Sequence, residues 1–199
     1  DDLEQRPTST GIEQESGEAT ELSFSQERLW FLDRLEPDNP FYNVAFAHDL
    51  EGALDVEALQ SSFKALVRRH DVLRTGFVER DGQAHLQLHD DVELEIPVHD
   101  LRDDVDQESE ILRRAKQEAL AVFDLSTPPL VRVQLLVTGP TKHVLLVTMH
   151  HIVSDGWSLG VLIRELVAHY HHFISDEPIH LPELAIQYAD FARWQRTWF

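Results

Sequence analysis

The sequence predicts an α/β fold in which short apolar strands alternate with amphipathic helices. Three observations carry that expectation. Residues 144–149, VLLVTM, form a short run rich in valine and leucine behind the turn pair Gly139-Pro140, as a buried strand does. Asp55 is a good N-cap for a helix that places Leu59, Phe63, Leu66 and Val67 on one core-facing stripe. Leu159, Leu162, Leu166, Tyr170 and Phe173 then recur at spacings of three and four, directly after the nonapeptide HHIVSDGWS, residues 150–158.

The remaining elements follow in order. Residues 1–21 hold seven acidic side chains against one arginine and little to bury, so they read as a flexible acidic tail or linker. Ser25 caps a helix through Gln26, Arg28, Leu29, Trp30 and Leu32 that stops before Pro37. Residues 37–40 form a turn and 42–50 a strand. Arg68, Arg69 and His70 close the Asp55 helix, where positive charge suits the helix dipole. Residues 72–78 return as a strand, and 84–88 with 92–98 make a hairpin around His89-Asp90-Asp91. An amphipathic helix over 106–122 turns Ile111, Leu112, Ala115, Ala119 and Leu120 inward. Pro128-Pro129 lead into a strand over 130–137, whose hairpin partner is 144–149. Pro178 and Pro182 break the chain before a last helix over 183–198, on which Tyr188, Phe191 and Trp194 share a core-facing side.

Composition removes whole classes of function. A net charge of −19 argues against nucleic acid and against anionic lipid, since both need a basic face. The absence of cysteine excludes disulfides, thiolate catalysis and cysteine metal sites. No apolar stretch reaches the length of a membrane span, and no signal peptide opens the chain. The expectation is a soluble cytoplasmic protein of 199 residues.

His150 and His151 stand where a strand ends and a loop turns into a helix, a common place for chemistry in α/β proteins. A neutral imidazole titrates in the range needed to take a proton from an attacking amine or hydroxyl. Neighbouring residues at a strand end point to opposite sides, so one histidine can face a substrate channel while the other packs. Asp155 either orients the imidazole or anchors the loop to an arginine. Gly156 either adopts a backbone conformation closed to other residues or lets a substrate pass close by. Two polar loop residues without chemistry would produce the same pair. A zinc site would recruit His169, His171 and His172, but their spacing lacks the HExxH pattern. A serine hydrolase would need a GxSxG elbow, which is absent.

MHHIVSDGWS resembles the HHxxxDG signature of the condensation domains of nonribosomal peptide synthetases. SFSQERLWFL (residues 23–32), RHDVLRTGF (69–77) and YADFARWQR (188–196) resemble the family's first, second and fourth motifs, in the family's order. The resemblance implies an α/β fold (an α+β two-layer sandwich), a chloramphenicol acetyltransferase-like lobe with a mixed sheet flanked by helices. Residues 22–199 would be the N-terminal lobe, with the C-terminal lobe and its later motifs absent and the isolated chain inactive. By resemblance, His151 deprotonates or positions the acceptor amine, and His150 is structural. Asp155 would hold the loop by a salt bridge to Arg69 or Arg74, both of which fit the second motif. Gly156 would border the channel, and Trp157 and Ser158 complete the motif, with Trp157 read as packing. No cofactor or metal is implied within the domain; the substrates would ride on phosphopantetheine of upstream and downstream peptidyl carrier proteins, with an adenylation domain nearby. The wording of the motifs favours a domain joining two L-configured units. The alternatives are a starter domain with a fatty acyl donor, an epimerisation or ester-forming relative, and a non-catalytic docking platform.

Overall fold

The computed structural model describes residues 21–198, so the expected tail falls almost wholly outside the described residues. In chain order the elements are α1 (Phe24–Leu35), β1 (Asn43–Glu51), α2 (Val56–Arg69), β2 (Thr75–Arg80), β3 (Gln83–Leu88), β4 (Val98–Asp100), α3 (Gln107–Leu120), β5 (Val131–Gly139), β6 (Lys142–His150), α4 (Gly156–Ser175) and α5 (Tyr188–Trp198). The main sheet runs β1–β6–β5–β4. It is mixed: β6 pairs antiparallel with β1 and β5, while β4 joins β5 in parallel.

Helices cover both faces of this sheet, because strand residues alternate sides. Leu135, Leu145, Val147 and Met149 face the larger core with Leu59, Phe63, Leu66 and Val67 of α2, and Leu159, Leu162 and Leu166 of α4 pack against it. Leu136, Val144 and Leu146 face the other way and meet Leu101, with Ile111 and Ala115 of α3 packed against them. The central strand β6 is therefore apolar on both faces, which is why 144–149 shows no alternation in the sequence.

Several elements differ from expectation. Ser23, not Ser25, caps α1: its hydroxyl accepts from Gln26 N–H and Gln26 reaches back to Ser23 N–H. Residues 71–74 form a 3-10 turn before β2, and β2 pairs with β3 around Asp81-Gly82. Both turn residues have positive φ (54° and 78°), the geometry of a tight two-residue hairpin. The expected hairpin around His89-Asp90-Asp91 does not form; β4 docks on β5 instead. Leu112 and Leu120 of α3 point to solvent, since this short helix buries only a narrow stripe. α5 starts at Tyr188 rather than 183, and its Tyr188, Phe191, Trp194 and Trp198 rings contact one another in sequence at 5.5, 6.0 and 5.9 Å.

α4 is apolar on more than its core side. Ile163, Val167 and Ile174 form a second, exposed stripe along it, and Trp157 is exposed separately on its first turn.

Candidate active site

The nonapeptide begins on the last residue of β6, which both neighbouring strands hold. His150 N–H donates to Leu130 O (3.0 Å) and His151 N–H donates to Tyr42 O (2.8 Å). Alternation then divides the pair. His150 is 3% exposed and turns to the α3 side, where its ring lies 6.3 Å from Tyr42 and 6.2 Å from Phe123. Arg132 covers the Phe123 ring at 3.7 Å. His151 is on the exposed surface.

Each imidazole has its tautomer set by the loop. Ile152 N–H donates to His150 Nδ1 at 3.1 Å, so that nitrogen carries a lone pair and the proton of the neutral ring sits on Nε2. Burial first, and the His151 charge second, push the pKa of His150 down to about 4. A ring so shifted is neutral at physiological pH. His151 is the reverse. Its Nδ1 lies 2.5 Å from the Ser154 carbonyl oxygen, which can only accept, so Nδ1 carries the proton. The neutral ring then presents a bare Nε2, the form a general base requires.

The turn between the histidines and α4 is compact and internally bonded. His150 O accepts from Val153 N–H (3.1 Å) and from Ser154 Oγ (3.1 Å), while Ile152, Val153 and Ser154 are all buried. Asp155 then starts α4. Its Oδ1 accepts Ser158 N–H at 2.7 Å and Ser158 Oγ accepts Asp155 N–H at 2.8 Å, a reciprocal cap. The Ser158 backbone bond is the main cause holding the Asp155 carboxyl below the usual carboxylate range, with the His151 charge a lesser one.

The expected ion pair from Asp155 to the second motif is not what the structure shows. Arg69 Nε donates to Glu165 Oε2 (3.0 Å), and His70 Nε2 donates to the same oxygen (2.6 Å). Arg74 pairs with Asp71 (2.5 Å) and donates to His89 O (2.8 Å). Asp155 is occupied by its helix, and the buried Glu165 further along α4 joins that helix to the second motif. Gly156 has no left-handed backbone and a Cβ built on it meets nothing within 4 Å. Only its openness distinguishes it. Trp157 is 82% exposed rather than packed, because the first turn of α4 stands clear of the core. His169 and His172 both lie against the Phe173 ring, His172 Nδ1 donates to Glu177 O (2.6 Å), and His171 O accepts from Ser175 Oγ (2.6 Å).

The four segments that resemble family motifs converge here. Gln26 Nε2 donates to Ile152 O (3.4 Å), Ser23 Oγ lies 3.1 Å from Tyr188 Oη, and Gln187 Nε2 donates to Arg69 O (3.0 Å). Sequence reasoning missed Ser154, Tyr42 and Gln26 as parts of the site. Two of these act through backbone carbonyls, which leave no trace in residue type.

Comparison with known proteins agrees with the geometry. Residues 17–198 match the family described as Condensation domain. One of the linear gramicidin synthase proteins of Brevibacillus parabrevis is 48% identical over 182 residues, covering 90% of this chain and 2% of that protein. Phosphinothricin tripeptide synthetase PhsC of Streptomyces viridochromogenes is 42% identical over 177 residues, 88% of this chain and 16% of the relative. The chain thus spans a small part of these curated relatives. Among solved structures, the X-domain in complex with OxyB from teicoplanin biosynthesis superposes with a TM-score of 0.81 at 29% identity, covering 94% of this chain and 40% of that one. The starter condensation domain of rhizomide synthetase RzmA gives 0.82 at 20% identity, over 89% and 45% of the two chains, a likeness of fold alone. No described helix is long and apolar enough to cross a membrane. With the match running through every described residue, this chain belongs to the condensation domain family of nonribosomal peptide synthetases.

Proposed function

We propose that the chain is the N-terminal lobe of a domain that forms an amide bond between a donor aminoacyl or peptidyl thioester and the amine of an acceptor aminoacyl thioester. Both substrates ride on phosphopantetheine arms of carrier proteins, upstream and downstream, and the domain itself binds no cofactor. The observation that carries this reading is the His151 Nδ1–H to Ser154 O hydrogen bond, which leaves Nε2 as an acceptor on the exposed side of the loop. The acceptor nitrogen attacks the thioester carbonyl carbon and the C–N bond forms. Nε2 takes the proton from that nitrogen; the C–S bond breaks and the thiolate leaves, receiving the proton. Holding two tethered reactants in register supplies the larger part of the rate, up to roughly 7–11 kcal/mol.

A second lobe closes the site from the other side and covers Trp157 and the exposed stripe of Ile163, Val167 and Ile174. Gly156, open to its surroundings, borders the channel. The intact histidines and the DGWS ending favour L-configured donor and acceptor, in a cytoplasmic synthetase with an adenylation domain nearby. His151→Ala in the complete domain tests the reading by single-turnover formation of dipeptidyl product. The expected loss is roughly 10²–10⁴-fold, with residues 1–199 alone as an inactive control arm. An unchanged rate, or robust turnover by residues 1–199, would overturn it.

A further inference from the structure

We propose that Gln26 is a positioning residue for the His151 loop, an inference that rests on the reading of His151 as the base. Gln26 sits on the first turn of α1 and is 2% exposed, and both ends of its amide are committed. Oε1 accepts Ser23 N–H at 3.1 Å, while Nε2 donates to Ile152 O at 3.4 Å, 126 residues away in the chain. Ile152 directly follows His151, and its carbonyl lies inside the turn closed by the His151 Nδ1–Ser154 O bond. That oxygen belongs to a buried stretch, where a backbone acceptor needs a donor. Gln26 supplies one.

The amide is itself held rigidly. The Gln26 backbone N–H donates to Ser23 Oγ (3.2 Å), and that hydroxyl lies 3.1 Å from Tyr188 Oη of α5. Phe24 N–H donates to Gln195 Oε1 (3.0 Å) and Arg196 Nε to Leu22 O (2.7 Å), so α5 pins the start of α1 from the other side. The first and fourth motifs therefore aim one donor at the third. Ile152 N–H, in the preceding peptide unit, donates to His150 Nδ1 (3.1 Å), so the two peptides flanking the Ile152 Cα are held by His150 on one side and Gln26 on the other.

Gln26→Glu separates this role from helix capping. One carboxylate oxygen still caps Ser23 N–H, while the other meets Ile152 O without a proton to offer. In the complete domain kcat falls roughly ten- to a hundredfold with the acceptor KM unchanged. In the 199-residue chain the ¹⁵N signals of the His151 imidazole move toward a mixture of tautomers. Asp55→Ala removes the cap of α2, at the end of that helix away from the His151 loop, so stability drops while kcat stays within about twofold of the parent. Parental kcat and imidazole signals in Gln26→Glu would overturn the proposal, as would an equal loss of kcat in Asp55→Ala. His151→Ala run alongside separates the two failures. If that variant keeps its rate the base is misassigned, and the imidazole signal of Gln26→Glu still decides the contact.

Discussion

His150 makes folding stability depend on pH in a way that can be isolated. It titrates near 6.5 when unfolded and at about 4 in the fold, where burial and then the His151 charge disfavour its cation. Above pH 6.5 the ring is neutral in both states and its packing is fully available. As pH falls through 6.5 the unfolded chain takes up the proton first, so stability is lost until the folded ring also protonates near 4. The full gap is worth about 3 kcal/mol at 1.36 kcal/mol per pH unit, of which about 2 kcal/mol is already lost at pH 5. His150→Asn keeps an oxygen where Nδ1 accepts Ile152 N–H and removes the titration. Urea unfolding of both proteins at about pH 7.5 and 5 then cancels the carboxylates and the other histidines. The parent is expected to lose about 2 kcal/mol more than the variant. Equal losses in the two proteins would mean that the ring is solvated or charged in the fold, and the assignment of His150 as a neutral packing residue would fall.

Two further outcomes concern the start of α4. Gly156→Ala meets open space at an unstrained helical position and should change stability by less than about 0.5 kcal/mol. Thermal unfolding checks this, and a condensation rate that nevertheless falls in the complete domain places substrate against this backbone. Asp155→Ala removes the cap on Ser158 N–H and should cost about 1 kcal/mol, whereas Asp155→Asn retains an acceptor and stays close to the parent. Equal destabilisation by Ala and Asn would show instead that the charge itself supports the loop.

Much of this architecture was legible in the residues. The stripe of Leu59, Phe63, Leu66 and Val67 predicted α2 and the Asp55 cap predicted its start. The apolar run at 144–149 predicted β6, and the period of two predicted that His150 and His151 would part company. These signals succeed because they are repeats within one element, set by the geometry of a helix turn or a strand pleat. They fail where partners are chosen. Residues 92–98 have strand-like composition, yet only Val98–Asp100 finds an open edge, on β5, and β2 takes β3 through a turn whose positive φ values decide the pairing.

The site divides along the same line. That the histidine pair, Asp155 and Ser158 belong together follows from the sequence, because they lie within one loop and one helix turn. Which acid answers Arg69 does not. Glu165 and Asp155 both lie on the α4 segment, and only the packing of α2 against α4 brings Glu165 within 3.0 Å, across 96 residues of chain. The Nδ1-protonated tautomer of His151 likewise rests on the Ser154 carbonyl, an acceptor every residue carries, and the loop on a bond donated by the Gln26 amide. Local periodicity determined the elements and the order of the motifs. Hydrogen bonds between segments distant in the chain, each demanding a separation near 3 Å, were decided only by the tertiary structure.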